Sequence, residues 1–345
     1  MNFSSQELNL FLIKLFNYEQ SLFYKIKGYV CYKFKSNEEL KEAVDLYTQI
    51  STYQDAFKKY GNISLWDTSL ITNMSKLFQN KYEFNENLNG WDVSNVEDME
   101  AMFYNCQNFN QPLYNWNLLN VKDMSYMFEC CNNFDQDLNK WNVRNVKKMS
   151  NMFSNCNKYN QQLNLWDVSN IFDMERMFNG CKNFNQPLNS WNVSNVEDMK
   201  CIFSECEKFN QPLDCWDVSN VKNMICMFDE CYNFNQPIDS WNLSNVETMF
   251  CMFNKCKFFN QPLNSWNVSN VYNMNSLFSG CKNFNQPLDS WNVSNVEDME
   301  AMFYNCKKFD QPLDCWNVNN VINMSNMFYN CIDFNQPLIK WNVSN

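Results

Sequence analysis

Residues 88–113 read LNGWDVSNVEDMEAMFYNCQNFNQPL, and two apolar periods are present within them. Leu88, Trp91, Val93 and Val96 follow the L-x-x-L-x-L frame of a leucine-rich repeat, in which a short strand turns alternate side chains inward. That frame puts Trp91 and Val93 inside and Asp92 and Ser94 outside. Ser94 followed by Glu97 has capping-box spacing. Val96, Met99, Met102 and Phe103 then recur at i, i+3, i+6 and i+7, which predicts a short α- or 3₁₀-helix with one buried stripe. Asn105-Cys106 closes that helix with the thiol turned inward as a small hydrophobe. Phe109 anchors the return, and Asn110-Gln111-Pro112 turns into the next strand at Leu113. Proline suits that place because it fixes φ and donates no hydrogen bond.

The same stretch recurs along the chain. Every tryptophan, from Trp66 to Trp341, lies 25 residues from the next. Counting each unit from its Trp, all 8 prolines fall at position 22. Met is invariant at position 9 (Met74 to Met324) and Phe at position 13 (Phe78 to Phe328). Cys holds position 16 from Cys106 to Cys331, with Lys81 in the first unit. Residues 93–106 and 293–306 are identical, the mark of duplicated units. A unit this short cannot bury its own apolar face, so stacked copies must share one. The predicted fold is therefore an α/β repeat: a leucine-rich-repeat-like solenoid over residues 61–345, with eleven complete units and a partial twelfth. Residues 1–60 lack the repeat and read as a helical N-terminal cap. One cap helix begins at Ser4-x-x-Glu7, with Leu8, Phe11, Leu12, Leu15 and Phe16 on one face. A second begins at Ser36-x-x-Glu39, with Leu40, Ala43, Val44 and Tyr47 on one face.

Composition excludes several function classes. The chain contains no histidine, which removes every mechanism built on imidazole. A net charge of −11 argues against nucleic-acid or anionic-membrane partners. No apolar run reaches the roughly 18 residues that a membrane-spanning helix needs. The 17 cysteines contain no C-x-x-C pair and no zinc pattern, and a many-thiol chain fits a reducing compartment. Enrichment in Asn, Lys, Phe and Tyr suggests an AT-rich genome, as in a large DNA virus, a mollicute or a protist.

The unit W-D-V-S-N-V-x-D-M-x-x-M-F-x-x-C-x-x-F-N-Q-P-L resembles that of the BspA-like leucine-rich-repeat surface proteins. More closely, it resembles the family of unknown function first described in mycoplasma lipoproteins. The lead-in Glu39-Leu40-Lys41-Glu42-Ala43-Val44 and the following Tyr60-Gly61-Asn62-Ile63-Ser64 look like that family's usual start. The resemblance implies a repeat fold and, for many members, adhesion or surface display; it brings no catalytic residues. Residues 1–30 show neither a basic n-region nor a lipobox before Cys31, so an intracellular setting is expected, with the cell surface as the alternative.

No catalytic, cofactor or metal site is expected. The strand-side row at position 2 is the candidate binding face: Asp92, Asn117, Asn142, Asp167, Asn192, Asp217, Asn242, Asn267, Asn292 and Asn317. Positions 7, 8, 10 and 11 vary more, so specificity could lie on the helix side. The Trp ladder and the position-16 thiols read as core. Glu97 and Asp98 read as a solvated helix start, and Asn192-Val193-Ser194 sequons as a by-product of the repeat. Cys201, Cys226 and Cys251 share position 11 on the outer face of three adjacent predicted helices and should be the most reactive thiols. The expected role is a non-enzymatic scaffold for an unknown protein partner; the alternative is a surface adhesin or carbohydrate-binding display protein. Leu338, Trp341 and Val343 complete a strand row with no helix over it, which predicts weak end-to-end self-association through residues 331–345.

Overall fold

A computed structural model describes residues 31–342 together with residues 11, 14, 15 and 22. The expected Ser4–Phe16 helix, and Val343 in the last row, fall largely outside the described residues. The second cap helix is where the sequence puts it. Helix α1 spans Asn37–Thr48, with Ser36 as N-cap accepting from the Glu39 N–H at 3.2 Å. Its buried face is Leu40, Ala43, Val44 and Tyr47. Helix α2, Tyr53–Tyr60, ends on Gly61, whose φ of 74° lets its N–H return to the Phe57 carbonyl. Ahead of α1, Tyr32 and Phe34 exchange backbone hydrogen bonds with Asp67, so this segment stacks beside the first unit. Phe34 is fully buried, 4.9 Å from the Trp66 ring.

Beyond residue 65 the structure corrects the expected α/β solenoid. Among the described residues there is no named strand and no helix after the 3₁₀ turn Ile63–Leu65. What remains of a sheet is a line of isolated parallel bridges at position 8, from Asn73↔Asp98 to Asp298↔Asn323. The predicted helix over Val96–Phe103 is a pair of consecutive β-turns. Met102 N–H returns to Met99 O, and Cys106 N–H to Phe103 O. Alternate N–H groups leave the unit altogether: Met99, Ala101, Phe103 and Asn105 donate to Asp123, Ser125, Met127 and Glu129 at 2.7–3.0 Å. Positions 11 and 15 are the third residues of these turns and take positive φ in every unit, as in Ala101 (52°) and Asn105 (60°). An α-helix needs negative φ throughout and N–H groups that stay within the helix. Neither condition is met.

The apolar pattern misled for an identifiable reason. Tandem turns bring every third or fourth residue back to the same side, so Met99, Met102, Cys106 and Phe109 face inward as they would on a helix. The strand half fails differently. Trp91 and Val93 are buried as expected, but side chains make the rungs there. Thr68 Oγ1 donates to Asp92 O at 2.9 Å, and Asn95 Nδ2 to Ser69 O at 2.8 Å.

Three aromatic columns form the core. Phe at position 13 stacks on its counterpart one unit away, as in Phe103–Phe128 at 5.5 Å, and on position 19 of its own unit, as in Phe103–Phe109 at 4.2 Å. The indoles stack less closely, Trp116–Trp141 at 6.2 Å. From Trp91 onward each indole N–H donates to the backbone carbonyl three residues before the preceding tryptophan, for example Trp116 to Leu88 at 3.0 Å.

The turn assignment has a direct check at Ala301, φ 50°. In a helix, Ala→Gly costs about 1 kcal/mol. In a left-handed turn residue, glycine relieves roughly 1–2 kcal/mol of backbone strain, which offsets its entropy. Ala301→Gly should therefore melt at or above the parent temperature; a clear drop would restore the helix.

Candidate functional site

The position-2 row lies in register along the units. Asn117 to Asn317 are exposed, Asp92 is half-buried and Asp67 is buried. Each side chain is already engaged in a local Asx turn. Its Oδ1 accepts from the backbone N–H two residues on, at 3.0 Å in Asp92–Ser94 and 3.3 Å in Asn142–Arg144. In Asn192 the same oxygen also accepts the Ser194 hydroxyl at 2.7 Å. The uniformity of the row is thus explained by turn geometry. From Asp92 to Asn317 one polar atom per side chain remains for other contacts, whereas the second oxygen of Asp67 faces Lys33 Nζ at 3.8 Å.

Other amides, which the sequence reading passed over, hold the units together. At position 5, Asn95 through Asn320 each donate Nδ2 to the position-4 carbonyl of the preceding unit at 2.6–2.8 Å. At position 20, each Asn or Asp oxygen accepts from the backbone N–H of its counterpart in the next unit, as Asn85 does from Asn110 at 2.9 Å. The adjoining Gln adds a second rung: Gln136 Nε2 donates to Asn110 Oδ1 at 2.9 Å. The signal for both was present in the fixed spacing of these amides. Repetition alone does not distinguish a ladder of stacking contacts from a binding face.

The carboxylates Glu97 and Asp98 separate. Glu97 is exposed, whereas Asp98 accepts from the Glu100 N–H at 2.9 Å and from Asn73 Nδ2 at 3.1 Å. The indoles from Trp66 to Trp316 are buried, which removes them as a sugar-stacking platform. A cavity of about 430 Å³ between α1 and the first unit is lined by Tyr47, Tyr53, Lys81, Glu83 and Glu86 among others. Among the described residues no group of three or more Cys, Asp or Glu has metal-binding geometry, and no helix is long and apolar enough to cross a membrane.

The position-16 thiols sit in the core as expected. Each donates to the position-13 carbonyl of the preceding unit, as Cys106 does to Phe78 O at 2.9 Å. Burial pushes the Cys106 thiol up to about 12 and Cys131 well above its ordinary value. Cys106 to Cys306 should resist iodoacetamide in the native protein and react only after denaturation, because the thiolate is the nucleophile. Alkylation at native pH would overturn their placement. Tyr159 stands where the other units carry Phe, and its buried hydroxyl has no hydrogen-bond partner. Tyr159→Phe should raise stability by about 1 kcal/mol in chemical denaturation.

A family model described as "Mycoplasma protein of unknown function, DUF285" matches residues 45–166, 149–266 and 251–345. No curated protein and no solved structure matches the chain. The likeness to BspA-like leucine-rich repeats has no counterpart in the fold, whose units lack the strand and the helix that define such a repeat.

Proposed function

We propose that this chain, which belongs to the family matched above, is a non-enzymatic repeat scaffold that binds another protein through the variable residues of its exposed faces. One observation carries the reading. Surface residues that are the same in every unit are engaged in turns and in rungs between units, whereas position 7 is exposed in every unit from Glu97 to Ile322 and changes character along the stack. The column runs Glu97, Lys122, Lys147, Phe172, Glu197, Lys222, Glu247, Tyr272, Glu297, Ile322. Phe172 and Tyr272 are 45% and 47% exposed. Solvent-facing aromatics interleaved with charges of both signs suit a protein partner, for which aromatic anchors supply most of the binding energy. The Asp92-to-Asn317 row offers nearly the same chemistry in every unit. It can add polar contacts but cannot choose between partners.

The free cysteines throughout the described chain support a reducing, intracellular setting for this role. The test is affinity capture from native lysate with the parent and with Phe172→Ser/Tyr272→Ser. A protein retained by the parent and lost by a double variant that melts like the parent supports the reading. Equal capture by both moves the binding face elsewhere, and binding to a glycan array instead would replace a protein partner with carbohydrate.

A further inference from the structure

Position 11 carries a column that differs from every other. Arg176, Cys201, Cys226, Cys251 and Ser276 occupy it in five consecutive units. All five have φ between 52° and 56°, so the five side chains leave the backbone in the same way. Their backbones are in register: Cys201 N–H donates to Ile225 O, Cys226 to Phe250 O and Cys251 to Asn275 O, at 2.8–2.9 Å. The three thiols occupy adjacent units, with Arg176 at one end of the row and Ser276 at the other. Parallel neighbours sit about 4.8 Å apart, and a disulfide spans Cα separations of about 4.4–6.8 Å. Cys201 is buried, while Cys226 and Cys251 are half-buried and accessible. The sequence-based view of these residues as outward points on helices is corrected here: they are turn residues, partly shielded.

We propose that Cys201, Cys226 and Cys251 form a thiol–disulfide exchange site that reacts with small disulfides and closes a covalent bridge between adjacent units. Cys251 is the attacking thiol. A hydrogen bond from Cys226, with a smaller share from the Ser276 hydroxyl, holds it below its ordinary pKa against burial and the nearby Asp229 carboxylate, which push it up. Its thiolate attacks one sulfur of RSSR, the S–S bond breaks, and RS⁻ leaves and takes up a proton. The Cys226 thiol then loses its proton to solvent and attacks Cys251 Sγ in the mixed disulfide, releasing the second RSH. Two protein thiols are oxidised and one RSSR is reduced to two RSH. Cys201, beside Cys226, can attack Cys226 Sγ in turn. That moves the bridge to Cys201–Cys226 and returns Cys251 as a thiol, with no net electron change. The position-16 thiols take no part, because each donates to a backbone carbonyl and all from Cys106 to Cys306 are buried, Cys331 being half-buried.

The test is incubation of the native full chain with oxidised glutathione, followed by alkylation of remaining thiols and peptide mapping. A disulfide confined to Cys201, Cys226 and Cys251, with the position-16 thiols intact, is the expected result. Cys251→Ser should slow bridge formation about tenfold or more, since the activated thiol is gone; Cys201→Ser should still form Cys226–Cys251. Serine already occupies this column at residue 276, so the turn accommodates it. If the only products are mixed disulfides on the exposed Cys215 and Cys315, or if a bridge forms only in denaturant, the proposal fails.

Discussion

Trp191→Ala should destabilise the protein by roughly 3–5 kcal/mol, the cost of a large-to-small change in a packed core. Trp191 is 2% exposed, and its ring lies 6.4 Å from Trp166 and 6.1 Å from Phe178. Its Nε1 donates to Leu163 O at 2.9 Å. The truncation removes the buried area, opens a cavity between two units and leaves that carbonyl without its donor. Trp191→Phe keeps a ring in place and loses the N–H, so it should fall between parent and alanine variant. Urea denaturation followed by far-UV circular dichroism measures both. A Trp191→Ala midpoint equal to the parent's would place the indole outside the core and reverse the inside/outside assignment. The effect should also spread, because each unit contacts only its neighbours and a weakened junction divides the array. A shallower transition in the alanine variant than in the parent is the sign of that division.

The register, the inward residues and helix α1 were legible in the sequence because burial leaves a periodic trace. Trp91, Val93, Met99, Met102, Phe103, Cys106 and Phe109 were all placed inside and are buried. Which backbone carries them was not legible. A stripe at i, i+3, i+6 and i+7 is shared by a helix and by consecutive turns, and the two differ in the sign of φ at positions 11 and 15. Tyr126, Arg176, Cys130 and Glu230 all adopt positive φ there, although none is a residue type that announces a left-handed turn. Interunit hydrogen bonds hold them in that conformation, and such bonds exist only once units stack. The position-2 row is ambiguous in the sequence for a related reason. Uniform exposed Asx residues fit a flat recognition surface as well as an Asx turn, and only the contact with the N–H two residues on separates the two.

Asn185→Ala should cost about 1–3 kcal/mol, the range for removing a hydrogen-bond partner from groups sheltered from water. Asn185 Oδ1 accepts from the Asn210 N–H at 2.9 Å and from Gln211 Nε2 at 3.1 Å, and alanine leaves both donors without it. The chain contains its own control for the opposite change. Asp310 occupies the same position and accepts from the Asn335 N–H and Gln336 Nε2, each at 2.9 Å. Asn185→Asp should therefore match the parent at neutral pH. The two variants converge on acidification. The Asn335 backbone hydrogen bond, followed by that of Gln336, holds the Asp310 carboxyl below its ordinary value. A carboxylate whose folded pKa is depressed contributes stability in full above its unfolded pKa of about 4 and loses it as pH falls through the lower folded value. Stability of the aspartate variant should then track the parent down to about pH 4 and fall behind below it, while the alanine deficit stays nearly constant with pH. If Asn185→Ala melts with the parent at every pH, the position-20 column is decoration on a stack held by its apolar core. If only the alanine variant is weak at neutral pH, side-chain oxygens supply the rungs that a conventional sheet would take from its backbone.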